Sequence, residues 1–309
     1  MADCTTATTR VWRTLITWYA EVQRPLPWRD PDTTPWGVLV SEVMCQQTPA
    51  ERVAPQWQAW MQRWPRPSDL AAAETAEVIR QWGRLGYPRR ALRLQEAAAV
   101  IARDHGDIPP ATFEELLRLP GVGDYTAGAV MAFAYGRRAL ALDTNVRRVL
   151  ARLASGRMSP GPSVTAAERE TALAWLPADD GTAARWSAAA MELGATVCRA
   201  VKPACEVCPV RQDCAWLAAG QPPADRPARR PQSYVGTDRQ ARGALLAVMR
   251  SHEGPVTRRA LEAAWPIDVQ RMRALDSLVA DGLVEALPRS RWSLPRGNAA
   301  ISTPAQPVS

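Results

Sequence analysis

Lysine is almost absent from this chain. Lys202 is the only one among the 38 lysines and arginines of the 309 residues. Chemistry that runs through a lysine amine, a Schiff base above all, therefore has one candidate. Histidine is nearly as scarce. His105 lies in DHGD and His252 in SHEG, contexts that argue against a histidine-built metal hydrolase. No phosphate loop of the GxxxxGK[ST] type occurs. No apolar run reaches the roughly 18 residues a membrane helix needs. The first residues, MADCTTATTRVW, lack a basic segment followed by an apolar one. The expectation is a cytoplasmic protein with no membrane partner and no structural disulfides.

Strand-like alternation is also scarce before residue 220. What is present there is helical patterning. Apolar residues recur at three- and four-residue spacing in VWRTLITWYAEV, WGVLVSEVMCQQT, RALRLQEAAAVIARDHG and later segments. The fold class expected is mainly α. Residues 221–237, QPPADRPARRPQSYVGT, read as a Pro/Arg-rich linker. Residues 238–296 then pattern as three helices and a short hairpin, a winged-helix-like unit, with Thr257 and Asp268 as expected N-caps. On its third helix, Arg271 and Arg273 are candidates for reading DNA. Residues 297–309 read as a disordered tail. A net charge of +7 and a pI near 9.5 point to a polyanionic partner such as nucleic acid.

Four of the six cysteines lie in CRAVKPACEVCPVRQDC, residues 198–214. Cys198, Cys205, Cys208 and Cys214 are separated by six, two and five residues. Structural zinc usually pairs two Cys-x-x-Cys knuckles, and only one is present. A nucleobase deaminase would need an H-x-E that is missing. The remaining reading is a [4Fe-4S] cluster held by four thiolates.

LPGVGDYTAGAV, residues 119–130, reads as a helix, a tight turn at Gly121 and Gly123, and a new helix starting near Asp124. The free amides at such a start can receive a DNA phosphate without reading sequence. Downstream, Asp143 opens ALDTNVRRVLARL as an N-cap candidate, with Arg147 and Arg148 as phosphate candidates. Glu42 is a second carboxylate, set among Val38, Leu39, Val43 and Met44. Desolvation there would raise its pKa and let it donate a proton near neutrality.

These residues together carry a resemblance. LPWR (26–29), SEVMCQQT (41–48), LGYPRRA (85–91), LPGVGDYTAGAV, ALDTNVRRV, MELGATVC (191–198) and the cysteine spacing occur in this order. Over residues 5–220 the chain resembles the helix-hairpin-helix DNA glycosylases of the endonuclease III superfamily, and within it the MutY-type adenine glycosylases. The C-terminal unit resembles the short form of actinobacterial relatives. The resemblance implies a six-helix subdomain over 25–135 and a cluster subdomain made of 5–24 with 136–214. It implies a monomer that acts on double-stranded DNA carrying adenine mispaired with 8-oxoguanine or guanine.

The roles implied are these. Glu42 would protonate the adenine ring. Asp143 would stabilise or attack the oxocarbenium-like sugar, supported by Tyr125 and Asn145. Trp28 and Arg29 would line the pocket of the flipped base. Gln47 and Tyr87 would wedge into the duplex, with Thr48 beside them. Gly121, Val122 and Gly123 would cradle a phosphate, and Arg199 and Lys202 would contact the backbone from the cluster loop. Four departures stand out: DTN in place of DGN, Ser187-Ala188 where many MutY proteins carry Asn followed by Gln or Glu, Cys45 in place of a common Leu, and no recognisable Nudix-like domain. Two other enzymes of the superfamily are rivals. A strand-cutting endonuclease III needs a lysine where this chain has Tyr125. A thymine or uracil mismatch glycosylase can carry Tyr there. A non-enzymatic, cluster-containing DNA-binding regulator would not need Glu42 and Asp143.

Overall fold

The structure is a computed structural model that describes residues 2–224 and 234–297, with the side chains of residues 2–6 outside that description. In chain order the helices are α1 (Ala2–Val22), α2 (Pro35–Cys45), α3 (Ala50–Arg63), α4 (Pro67–Ala72), α5 (Thr75–Trp82), α6 (Arg89–Asp104), α7 (Phe113–Arg118), α8 (Asp124–Phe133), α9 (Thr144–Leu153), α10 (Ala166–Ala174), α11 (Asp180–Thr196), α12 (Ala215–Ala218), α13 (Asp238–Ser251), α14 (Arg258–Ala264) and α15 (Asp268–Ala280). Three short strands follow late in the chain: β1 (Val256–Thr257), β2 (Glu285–Leu287) and β3 (Arg291–Ser293). The mainly helical class expected from the patterning is the class observed. Among the described residues, no helix is long and apolar enough to cross a membrane.

The chain divides into two compact units. The first comprises Met1–Glu42, Ala111–Arg118 and Val122–Arg229, and the second Val43–Pro110, Leu119–Gly121 and Arg230–Ser309. Residues 25–42, 111–118 and 122–135, which the resemblance groups with the six-helix subdomain, fall in the first unit in this division.

The core of the first unit follows from two helical stripes. In α9, Val146, Val149, Leu150 and Leu153 are buried; in α11, Trp186, Ala189, Ala190 and Leu193 are buried. Both sets have i, i+3, i+4, i+7 spacing, one face of a helix. They meet each other together with Val11 and Leu15 of α1. Each Leu or Val so buried contributes about 1.5–3 kcal/mol of transfer free energy. The packing brings α9 and α11 together, and the site is built on both.

In the second unit, residues 238–296 form three helices and a three-stranded antiparallel sheet of order β1-β3-β2. The expected hairpin is β2–β3, with Ala286 opposite Trp292, and β1 adds a strand that the sequence did not suggest, pairing Val256 with the same Trp292. Thr257 caps α14 as expected, accepting from the Ala260 amide. Asp268 does not cap α15. It is the first helical residue and pairs with Arg271. The segment also shares one core with α5: Ala76 and Ile79 pack with Leu245, Met249, Leu275 and Leu278. Arg250 Nε donates to Ile79 O at 3.0 Å. Truncation after Gly220 would therefore expose part of α5 rather than remove an independent module.

Two arginines expected to face a DNA groove do not offer free guanidinium groups. Arg271 is 3% exposed and donates to Trp265 O and Pro266 O. Arg273 is held by Asp238 at 2.5–2.7 Å. The exposed side of α15 carries Val269, Met272 and Val279 together with the ion-paired Arg273. Residues 225–233 of the expected linker and 298–309 of the expected tail lie outside the described residues.

Candidate active site

Glu42 lies on α2 beside buried Leu39, Val43 and Met44, and is itself 7% exposed. Tyr125, in the first turn of α8, donates its hydroxyl to Glu42 Oε2 at 2.7 Å. Burial pushes the Glu42 carboxyl up from its ordinary 4.5 to about 7. The Tyr125 hydrogen bond works against that rise, the Asp143 charge adds to it, and Arg29 opposes it. The result is a carboxyl poised to hold or release a proton near neutrality.

Asp143 is the N-cap of α9. Its extended backbone lets Oδ1 accept from the Val146 amide at 2.6 Å. Oδ2 accepts from Asn145 Nδ2 at 2.8 Å. Burial raises the Asp143 pKa, and these hydrogen bonds and the Arg148 charge hold the rise back. Asn145 is aimed in turn. Its Oδ1 accepts from Arg148 Nη2 at 2.7 Å, and Arg148 also donates to Gly194 O and Cys198 O. The close crossing of α9 and α11 requires Gly194, where an added Cβ would lie 2.7 Å from Asn145 Cβ. Arg148 is thus engaged internally. Arg147 is likewise engaged, by Glu168, Gly161 O and Ser163 O.

Arg29 and Trp28 lie in a 3₁₀ turn, Pro27–Arg29. Arg29 donates to Glu192 Oε2 at 2.7 Å and to Arg24 O at 3.0 Å, with its charge 5.4 Å from the Tyr19 ring centre. Arg24 binds the same carboxylate through Nε at 2.8 Å and Nη2 at 3.1 Å. Burial of Glu192 works to raise its pKa, but the hydrogen bonds from Arg24 and Arg29 outweigh burial and bring it down to about 2. Sequence reading passed over Arg24 and Glu192. The one available signal was an acid, Glu192, inside the small-residue run AAAMELGA.

At the hairpin, Gly121 takes the left-handed backbone expected, φ 78°. Gly123 does not. It is extended, at φ −109°, and caps α8. A Cβ added at Gly123 would meet nothing within 4 Å, so this glycine keeps the amides of the helix start open. Val122 turns its side chain inward, 8% exposed, and can offer only backbone outward.

The four cysteines of residues 198–214 are all without disulfides. Burial raises the thiols of Cys205, Cys208 and Cys214, and the charge of Cys198 raises each further, which puts the four in one neighbourhood. Among the described residues, no three His, Cys, Asp or Glu converge tightly enough for a single metal ion. Arg152 adds a second test of fit. It is 1% exposed, yet its partners are Met158 O, Arg199 O, Ala200 O, the Trp216 ring and Cys198 Sγ, the last at 3.3 Å. A buried cation needs a compensating anion, and thiolates bound to a cluster would provide it. The donor set fits a [4Fe-4S] cluster. On the outer side of the loop, Arg199 and Lys202 are exposed, the latter with φ 50°.

In the second unit, Gln47 and Tyr87 are exposed. Thr48 is not. It is 6% exposed, donates to Leu85 O at 3.0 Å and accepts from Arg90. Its hydroxyl holds the loop together and does not face outward.

Comparison with known proteins gives the family of the chain. Residues 40–174 match the HhH-GPD superfamily base excision DNA repair proteins. The chain is 54% identical over 282 residues to the adenine DNA glycosylase of Mycobacterium tuberculosis, covering 91% of this chain and 92% of that protein. It is 42% identical over 209 residues to the adenine DNA glycosylase of Homo sapiens, covering 65% of this chain and 38% of that protein. Among solved structures, a thermostable thymine-DNA glycosylase superposes with a TM-score of 0.62 at 26% identity, covering 70% of this chain and 99% of the other. The chain belongs to the adenine DNA glycosylase family of the HhH-GPD superfamily of base excision DNA repair proteins.

Proposed function

We propose that the protein is a monofunctional glycosylase that hydrolyses the N-glycosidic bond of adenine mispaired with 8-oxoguanine or guanine in duplex DNA. The observation that carries this reading is the Glu42 carboxyl, bonded to Tyr125 and poised near pH 7 by its burial, with the Asp143 charge adding to the rise. Two carboxyls with different tasks are the logic of glycoside hydrolysis. Glu42 in its protonated form gives a proton to the adenine ring. The C1′–N9 bond breaks and its electron pair leaves with the base. Asp143, aimed by Asn145 and the Val146 amide, stabilises or captures the electron-poor sugar. Water completes the substitution at C1′, and its proton returns to the ionised carboxylate of Glu42. The products are free adenine and an abasic site.

Trp28 and Arg29 line the base pocket, with Glu192 anchoring Arg29. Flipping the base out of the stack is a precondition of this chemistry. Gln47 and Tyr87 enter the duplex at the mispair. Phosphates rest on the backbone of Gly121, Val122 and Gly123 and on Arg199 and Lys202. The setting is the cytoplasm, on nucleoid DNA. The identity to adenine glycosylases favours adenine over the thymine reading suggested by the structural neighbour.

Cys198, Cys205, Cys208 and Cys214 would hold the [4Fe-4S] cluster. When bound, it supplies iron–thiolate bonds that order the loop of residues 198–214; hydrolysis itself involves no change of oxidation state. Replacing Cys205 with Ala should abolish the cluster's visible absorption and weaken duplex binding. Because Arg148 joins Cys198 O to Asn145, excision should slow as well. Iron and absorption measured on anaerobically purified protein check this; one zinc and no iron in the wild type would overturn the cluster.

Borohydride tests the hydrolytic step. A lyase forms a Schiff base that borohydride traps. Tyr125 offers no amine, and the wild type should trap little or no adduct on a duplex it processes. Tyr125→Lys is expected to gain some strand cutting. Trapping by the wild type at the level of a true lyase would contradict the monofunctional reading.

A further inference from the structure

Arg90 lies in the first turn of α6, and its guanidinium is occupied by the backbone of two loops. Nη1 donates to Val43 O at 2.8 Å, to Met44 O at 3.0 Å and to Gln46 O. Nη2 donates to Gly86 O at 2.9 Å, to Thr48 Oγ1 at 3.1 Å and to Leu85 O at 3.4 Å. The charge lies 5.2 Å from the Trp82 ring centre and 5.6 Å from that of Tyr87. Nε is buried and meets no acceptor. Among the described residues, no carboxylate pairs with this cation. An arginine held entirely by carbonyls, a hydroxyl and ring faces is an organiser of backbone.

Each of the two loops contains one residue in the left-handed region although it is not glycine. Gln47 has φ 59° and Tyr87 has φ 46°. Such a backbone is disfavoured for these residues and persists where the surroundings over-determine it. Arg90 supplies that constraint. It holds Gln46 O and Thr48 Oγ1, on either side of Gln47, and Leu85 O and Gly86 O, which lead into Tyr87. The side chains of Gln47 and Tyr87 meanwhile project into solvent, Tyr87 with 51% of its surface exposed.

We infer that Arg90 is a positioning residue that presets Gln47 and Tyr87, through their backbone, in the shape that enters the duplex. The inference rests on the assignment of these two side chains to the duplex made above. Its consequence is kinetic. Without the clamp, both loops must find the left-handed conformation during binding, which slows the parting of the target adenine from its partner. Hydrolysis of an adenine already unpaired is unaffected.

The test uses the full-length protein with Arg90→Lys. Lysine keeps the charge, but its three donors cannot bridge six acceptors. Single-turnover adenine release is measured on an A:G duplex and on the same strand with the target adenine bulged. Stopped-flow fluorescence of 2-aminopurine beside the target follows unstacking. The expected result is a loss of about tenfold or more on the paired substrate, an equal slowing of the fluorescence rise, and an unchanged rate on the bulge. Equal losses on both substrates, or none on either, would overturn the inference.

Thr48→Val removes one acceptor and is the milder variant should Arg90→Lys fail to fold. It should show the same split at smaller size. A Gln47→Ala, Tyr87→Ala double variant separates the two levels. If that variant processes the paired substrate like the wild type, the assignment of the wedges fails. If it is slow while Arg90→Lys is not, the inference about Arg90 alone fails.

Discussion

Asp143→Asn should release adenine on the order of 10³-fold more slowly than the wild type, the scale of losing one strong electrostatic contact to a transition state. It should bind the duplex with nearly unchanged affinity. The reason lies in the local structure. Asn caps helices about as well as Asp, so its side-chain oxygen can still accept from the Val146 amide and α9 still begins at Thr144. Nothing in the proposed phosphate contacts at residues 121–123 or in the cluster loop depends on the charge at position 143. The variant removes the negative charge that the proposed cationic sugar requires, together with the acceptor of the Asn145 Nδ2 hydrogen bond. Excision and binding measured on one duplex check it, and turnover close to wild type would remove Asp143 from the mechanism.

Glu42→Gln has two expected effects of opposite sign. Base release should fall by about 10²–10⁴-fold, the usual span for losing a general acid, since a carboxamide delivers no proton. Stability at alkaline pH should rise. In the folded protein burial holds the Glu42 pKa at about 7, against 4.5 for the free side chain. Below pH 4.5 the group is protonated in both the folded and unfolded states, and it costs nothing. As pH rises toward 7 the unfolded chain ionises first, and the folded state loses stability. Above pH 7 the loss is complete, about 3 kcal/mol. Gln has no such penalty. The variant should therefore melt several degrees above the wild type at pH 8 and near it at pH 4.5. The same titration predicts that wild-type excision declines as pH rises through about 7. A pH-independent difference in melting would mean that Glu42 is not held protonated by burial.

Much of this arrangement was legible because it is local. Glu42 stands among apolar residues at helical spacing, and its burial follows from them. Asp143 precedes a helix in a sequence that needs an N-cap. The cysteines announce themselves by spacing. Partnerships made across the chain were not legible. Arg147 and Arg148 look like surface cations, yet each satisfies carbonyls and side-chain oxygens contributed by other segments. Glu192 joins Arg24 and Arg29 over more than 160 residues of sequence. Gly123 was read as a conformational necessity, and its backbone is ordinary; what it provides is space. The C-terminal helices patterned as a separate unit because amphipathicity shows that a face is buried, not what covers it. Here α5 contributes to that cover.

Single-turnover base release from four duplexes, carrying A:8-oxoG, A:G, T:G and thymine glycol opposite adenine, tests the central claim most directly. With the side chain of Thr48 turned inward and the Arg271 guanidinium buried, the proposed reading leaves discrimination of the partner base to Gln47 and Tyr87. The expected result is release of adenine from A:8-oxoG and A:G, with modest preference between them, no release of thymine or thymine glycol, and no strand cut without added base. Release of thymine from T:G with adenine left in place would contradict it.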